Sequence, residues 1–491
     1  MAIEGHTPVL VGVGFASQRV AEPGGGLDVR ELMAEAAAGA GADSGAPRVL
    51  AEVGRILSPR GTWDLVAPGA FVAQRIGASS AHSVRVSLGI PQQALLNDAL
   101  LAIIHGDVAA ALVVGGEARH CEVLARRAGV ELTPIDETEL EPDEDRPLDR
   151  MDELMTPAER EARVVLPIQQ YALIENALGH AEGRSLEQHK NEISTLYEGF
   201  SKVAAKNPRA AFPEVRSAAF LRTPGTGNRP IAFPYNKWHV TQMNVDQAVA
   251  MLFTSVDKAR AAGIDEDRWL YPHVSLWSSA ACSLAIRKDM HRWPSMRVLG
   301  QAAADHLGEP LASVPHAELY SCFPVAVRVQ QRELDLPLDG VPTVTGGMAF
   351  AGGPLNSYVL HANAEMAVHL REHRGDRGVV GAVSGLLTKP GLSVWSTEPP
   401  SDAPLIDDLA APARASTDVV ESVTGYEGDA TIATYTVEYT GMDPTKVDVI
   451  ADTPDGKRCV AVSEDDALAA QGTQESLIGM QIRVHGTTFD A

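Results

Sequence analysis

One arrangement occurs twice in this chain. Near residue 89 a glycine, Gly89, is followed by Pro91, an almost wholly apolar helical stretch from Gln92 to Ile104, the pair Gly106-Asp107, and an apolar run ending at Gly115-Gly116. Near residue 352 the order returns as Gly352-Gly353, Pro354, a helical stretch to about Arg371, Gly375-Asp376, and a run of Val and Ala. Proline suits a first helical turn, because the N–H it lacks would have no partner there, so each element predicts a loop that opens a helix. A helix that is apolar around most of its circumference, as QQALLNDALLAII is, suits burial between two layers. The repeat predicts two similar halves, each built on a buried helix introduced by a glycine loop.

Short apolar runs at 7–13, 108–115, 273–277 and 377–383 alternate with helical patterns, which is an α/β signature. At 491 residues the chain is long enough for several cores. The predicted first half spans 1–117 and is completed by 236–262; a polar excursion occupies 118–235, and the second half runs over 263–400. Within the excursion, the acidic run Asp136 to Glu153 reads as a solvated loop without chemistry. After Pro399-Pro400 the composition changes. Residues 401–491 hold five β-patterned segments (DVVESVT, ATIATYTVEYT, KVDVIADT, KRCVAVS, MQIRVH), the turn Pro454-Asp455-Gly456 and a short helical insert at Asp465 to Ala470. This predicts a small all-β, OB-like barrel.

With 41 Lys and Arg against 64 Asp and Glu, the formal charge of -23 repels phosphate backbones and argues against nucleic acid as a partner. The predicted barrel has 17 acidic and 5 basic residues, so a lid, ligand or protein-docking module fits it better than a nucleic-acid module. The start of the chain has no basic leader, and no apolar stretch reaches the roughly 18 to 20 residues of a membrane span, so a cytoplasmic location is expected. Cys121, Cys282, Cys322 and Cys459 are scattered, with no CxxC pair. They are expected to be buried free thiols, and no metal site is expected. The glycines at 11–14 are not followed by a dinucleotide fingerprint.

The glycine loops, with Glu318 to Phe323 (ELYSCF) and Thr343 to Pro354 (TVTGGMAFAGGP), resemble the active-site loops of the thiolase superfamily in order and spacing. The resemblance covers about 1–400. Residues 230–252 and 381–400 resemble actinobacterial thiolase-like proteins of type 1, often labelled acetyl-CoA acetyltransferases, which carry an additional C-terminal domain. It implies a layered αβαβα duplicated fold and a role in lipid metabolism. Thiolases take the acyl group on a cysteine thiolate at a central helix N-terminus, where the dipole lowers its pKa. That position falls at Gly89. The family's catalytic histidine falls at Gly353, its second cysteine at Val383 beside Ser384, and its asparagine at Tyr320. All four positions depart from the family, and a glycine can neither be acylated nor act as a base.

Other side chains near these loops have both a chemical and a packing reading. Tyr320 and Tyr358 are acid/base candidates or pocket walls, and a reference pKa near 10 makes tyrosine a poor base. Cys322 is a pocket thiol or core filler. The resemblance places the family's pantetheine-contacting loop at Thr241 to Val245, with Gln242 where a contacting serine is usual and His239 just before it; His239, Gln242 and Met243, with Gly352, Asn356 and Ser384 from other loops, are candidates for contact with CoA or substrate. Arg216 falls near a phosphate-contacting arginine of the family, within a basic stretch that also holds Lys202, Lys206, Arg209, Arg222 and Arg229.

The resemblance implies CoA or acyl-CoA as ligand, no tightly bound cofactor, and no standard thiolase turnover. Two alternatives stand beside it. One is altered chemistry, as a retro-aldol lyase or another acyltransferase using tyrosine, since some thiolase-fold steroid side-chain aldolases lack the cysteines and work beside an OB-fold partner. The other is a non-catalytic role in docking a protein partner through the C-terminal domain. Monomer and dimer are both compatible with these readings.

Overall fold

The computed structural model describes residues 5–136, 140–148 and 154–491. In chain order the first half supplies strands β1 (Pro8–Gln18), β2 (Arg55–Pro59), β3 (His82–Val86) and β4 (Ala110–Ala118). The excursion adds β5 (Glu144–Arg146), β6 (Pro230–Ala232) and β7 (Tyr235–Asn236), and β8 (Asp246–Ser255) completes the half. The second half holds β9 (Tyr271–Trp277), β10 (His316–Glu318), β11 (Arg377–Ser384), β12 (Lys389–Ser396) and β13 (Leu405–Asp408). The C-terminal unit contains β14 (Tyr426–Thr440), β15 (Asp443–Asp452), β16 (Arg458–Ser463), β17 (Gln481–Gly486) and β18 (Thr488–Asp490).

The first sheet runs β1-β8-β4-β2-β3-β5 and the second β10-β11-β12-β9-β13. The series β2-β4-β8-β1 and β10-β11-β12-β9 share one plan, a parallel pair followed by two antiparallel pairs. The duplication read from the glycine loops is therefore present in the strand order. The helices Gln92–Ile104 and Tyr358–Glu372 lie between the two sheets. Several of their polar groups pair there: Gln93 Nε2 donates to Ser275 Oγ at 2.7 Å, and Ser393 Oγ and Trp395 Nε1 donate to Asn363 Oδ1 at 2.8 and 2.7 Å. Outside the first sheet, the helices Val29–Asp43 and Pro68–Ile76 bury Leu32, Met33 and Val72 against Val9, Val11 and Leu112. Asp28 caps the former by accepting from Arg30 N at 2.8 Å and Glu31 N at 3.1 Å. Pro294–Leu307 covers the second sheet. The result is five layers, α-β-α-β-α.

Several local expectations change. The second central helix begins at Tyr358, after a turn at 355–357, rather than at Pro354. The acidic run, of which 137–139 and 149–153 lie outside the described residues, is not merely a solvated loop. Its β5 pairs in parallel with β3, and Arg85 clamps Asp145 through Nε at 3.0 Å and Nη2 at 2.9 Å. The outer edge of β3, which would otherwise present unpaired backbone groups, is thereby covered. Cys121, Cys322 and Cys459 are buried, but Cys282 is only half-buried.

In the C-terminal unit, β14 pairs with β15 and β17, β15 with β16, β16 in parallel with β18, and β18 with β17, so the ring closes. The helix Asp466–Gly472 joins β16 to β17, which is OB-type connectivity. DVVESVT is not one of the five strands; β18 is the fifth. The boundary also moves, because β13 extends the second sheet beside β9 and the barrel begins beyond Asp408. The barrel is stitched to the excursion: Thr434 Oγ1 donates to Leu173 O at 2.6 Å, Asn176 Nδ2 to Tyr435 O at 2.8 Å, and Thr436 Oγ1 to Phe233 O at 2.9 Å. No helix among the described residues is long and apolar enough to cross a membrane.

Candidate functional site

Four loops meet around the N-terminal ends of the central helices. At the first, Gly89 has φ +96°, a conformation that L side chains rarely adopt. A Cβ added there would lie 2.8 Å from Leu148 Cδ2, so the segment following β5 already occupies that space. At the second, Gly353 has no positive φ, yet a Cβ would collide with Thr241 Cγ2, far inside the 3.0 Å below which Cβ contacts are essentially never seen. Hydrogen bonds fix the segment that carries Thr241. Thr241 N and Oγ1 both donate to Cys322 O at 3.1 Å, Gln242 N donates to Met348 O at 3.1 Å, and Gly353 N donates to Gln242 O at 3.0 Å. The Gln242 side chain turns back on its own loop, donating to Lys237 O and Val240 O at 2.9 Å, and Met243 is half-buried. Gly352 (φ +105°) packs on Gln247, whose Nε2 donates to Ala351 O at 3.0 Å.

Glu318 organises the third loop. Fully buried, it accepts from Thr343 Oγ1 (2.8 Å), Val344 N (2.7 Å), Thr345 N (2.9 Å), Thr345 Oγ1 (3.0 Å) and Tyr358 OH (3.0 Å). Burial and then the Glu318 carboxylate raise the Tyr358 phenol well above its ordinary value. The Tyr320 ring stands edge-on to Tyr358 at 5.7 Å, and burial raises its phenol as well. Burial pushes the Cys322 thiol up to about 12. None of the three is deprotonated at neutral pH, so none is poised as a base or nucleophile. At the fourth loop Val383 is buried and Ser384 half-buried, and Leu386 and Leu387 follow with φ of 62° and 59°. Arg287 Nη2 holds this unusual turn by donating to Leu387 O at 2.8 Å.

Aromatic side chains fill the volume behind Thr241 and Cys322. Tyr171 stacks on Phe323 at 4.5 Å, Tyr235 lies 5.4 Å from Phe323, and Tyr197 donates to Ser321 O at 2.9 Å. His239 is 1% exposed; its Nδ1 accepts from Asn236 N at 3.2 Å, leaving Nε2–H for Ser194 Oγ at 3.2 Å. Burial lowers it to about 3, so the ring is neutral. Arg216 lies 3.7 Å above the Trp238 ring centroid and pairs with Glu214 at 2.7 Å. Asn356 is buried, donates to Arg60 O at 2.7 Å and accepts from Gln92, joining the starts of the two central helices.

The structure thus brings Tyr320 to Tyr358, sets Gly352 and Tyr358 beside one void, and joins the loops that follow Gly89 and Gly353 through Gln92 and Asn356, while Leu148 and Thr241 fill the space at the two glycines. The void beside Gly352 and Tyr358 measures about 30 Å³, room for little more than a water. A cleft of about 370 Å³ opens nearby between Arg19, His120, Phe212, Asn244 and Asp246. A groove of about 960 Å³ runs beside the Gln92–Ile104 helix, lined by Ile90, Ala94, Leu101, Leu148 and Trp277. One polar cluster was not foreseen. His369 and His373 share a helical face at i, i+4, a signal present in the sequence, whereas His316 joins them only through β10.

Residues 412–488 match the family described as the thiolase-like protein type 1 additional C-terminal domain. Over 99% of both chains, the structure is similar to a monomeric SCP2-thiolase-like protein type 1 from Mycobacterium smegmatis, at 28% identity and a TM-score of 0.83. It also resembles the dimeric peroxisomal thiolase of Saccharomyces cerevisiae (12% identity, TM-score 0.55, covering 80% of this chain and 98% of that one). An Ltp2-ChsH2(DUF35) aldolase is similar to the same extent (17%, 0.54, 80% and 98%), and at these identities both show the fold alone. No curated protein matches the chain.

Proposed function

For a thiolase-superfamily protein with an additional C-terminal domain, we propose a role in binding rather than turnover, with a degenerate active site closed by the protein's own side chains. One observation carries this reading: Leu148 and the Thr241 methyl take the side-chain space at Gly89 and Gly353, where a nucleophile and its base would have to stand. The protonated states of Tyr320, Tyr358 and Cys322 support it. Thiolysis of acetoacetyl-CoA and condensation of acetyl-CoA are expected to proceed no faster than in buffer. Turnover that disappears in Tyr320→Phe or Tyr358→Phe would sink the proposal and favour retro-aldol or other acyl-transfer chemistry.

CoA or an acyl-CoA is the ligand we propose first. The cleft beside Asn244 to Gln247 supports this, since its volume lies in the range of small-molecule sites and Arg19 and His120 stand at its rim. Calorimetry should show saturable binding of CoA that Arg19→Ala weakens at least tenfold. No heat at millimolar CoA would remove this ligand and leave protein docking through the acidic barrel as the role, testable by capture with full-length protein. The covered edge of β3 supports a monomer, which light scattering would check.

A further inference from the structure

We propose that His316, His369 and His373 form a binding site for a first-row divalent cation, best fitted by Zn²⁺, with Asp376 positioning one of the ligands. One ring nitrogen from each histidine lies within 4.8 Å of the other two. His369 and His373 close the C-terminal end of the Tyr358–Glu372 helix, with ring centroids 4.2 Å apart and planes inclined by 25°. His316 opens β10 and brings its ring to 4.4 Å from His369 and 5.0 Å from His373. His316 Nδ1 is 3.0 Å from His369 Nε2. In a tetrahedral shell with Zn–N bonds of about 2.0–2.1 Å, neighbouring ligand nitrogens stand about 3.3 Å apart, so this pair needs only a small outward adjustment.

The outer contacts select the lone pairs that a cation requires. His316 Nε2 is 2.8 Å from Asp376 Oδ2; the carboxylate takes that N–H and leaves Nδ1 bare, facing the cluster. His373 Nδ1 lies 2.9 Å from His369 O, and donation to this carbonyl leaves Nε2 bare. Carboxylate and backbone carbonyl are the usual second partners of metal-binding histidines, where they fix the tautomer and ring orientation.

Surrounding charge is compatible with a cation. The helix C-terminus is the negative end of its dipole. The nearby arginines are engaged elsewhere, Arg371 with Asp43 at 2.6 Å, Arg374 with Asp267 at 3.2 Å and Arg377 with Glu309. Three imidazoles favour Zn²⁺, Co²⁺, Ni²⁺ or Cu²⁺ over Mg²⁺ or Ca²⁺, which prefer oxygen. His316 and His369 are half-buried and His373 is exposed, so the remaining coordination position faces water. Bound metal would tie the starts of β10 and β11 to the helix end. Those strands lead to Glu318 and to the Val383 to Leu387 turn, the two second-half loops of the closed site.

The test is titration of full-length protein, without a polyhistidine tag and freed of metal by chelator, with Zn²⁺ at pH 7.5 against a chromophoric competitor. One equivalent should bind, and Co²⁺ should give the intense visible bands of a tetrahedral site. His316→Gln and His369→Gln should abolish that equivalent, and Asp376→Asn should weaken it about 10- to 100-fold. The exposed His180→Gln should bind as wild type. Absence of a saturable equivalent in the wild-type protein at 100-fold excess Zn²⁺ would overturn the proposal, whatever the folding of the variants. Unchanged binding in the exposed His373→Gln variant would do the same.

Discussion

Replacing Gly353 by alanine tests most directly whether the site is closed by its own atoms. The new methyl needs Thr241 Cγ2 to withdraw by more than about 1 Å to reach an ordinary carbon–carbon contact. Thr241 cannot move alone, because its segment is held by Thr241 N and Oγ1 on Cys322 O, Gln242 N on Met348 O and Gly353 N on Gln242 O. Overpacking a rigid core costs about 1–3 kcal/mol. Loosening two of these hydrogen bonds adds about 1 kcal/mol each. The expected loss is therefore about 3–5 kcal/mol, with no left-handed backbone strain contributing. Thr241→Ser removes the obstructing methyl and keeps the hydroxyl, so alone it should cost about 1 kcal/mol. In the double variant most of the alanine penalty should vanish, a coupling of about 2–3 kcal/mol. Urea midpoints of the four proteins, at equal slope, give the cycle. Gly353→Ala within 0.5 kcal/mol of wild type (roughly the noise of additivity), or a double variant as unstable as the sum of its parts, would refute the reasoning.

Two further outcomes are expected. His239 is neutral in the fold, with a pKa of about 3 against 6.5 when unfolded, so its environment imposes no penalty above pH 6.5. As pH falls through 6.5 the unfolded chain takes up a proton that the folded one refuses, and stability declines by about 1.4 kcal/mol per unit until about pH 3. Between pH 7.5 and 5.0 His239→Gln should therefore lose about 2 kcal/mol less than wild type in urea melts; equal losses would contradict the assignment. Truncation after Asp408 should give insoluble or unfolded protein, because it strips partners from Leu173 O, Asn176 and Phe233 O inside the excursion. A monodisperse truncated protein with intact circular dichroism would show that the barrel is dispensable.

Much of the fold was legible from local pattern. The two glycine loops, the apolar helix between them and the period-two runs beyond residue 420 encode helices, strands and their duplication within windows of ten to twenty residues. The resemblance of these loops to those of thiolases implies that Gly89 and Gly353 stand where that chemistry uses a reactive side chain, and the glycines themselves are plain in the sequence. What occupies the vacated space was not legible. Leu148 comes from an acidic run whose charge suggested only solvent, and Thr241 comes from a segment that four hydrogen bonds press against Gly353. The strand Glu144–Arg146 has no β signature of its own; Arg85 and the free edge of β3 make it a strand. Likewise β13 joins the second sheet through pairing with β9, which moved the boundary past Pro400. His316 meets His369 across 53 residues of chain because β10 lies beside the end of the second central helix. Periodicity and turn chemistry act between neighbours in sequence, so they determined the elements. Steric filling, edge pairing and ligand convergence act between neighbours in space, and only the tertiary structure decided those.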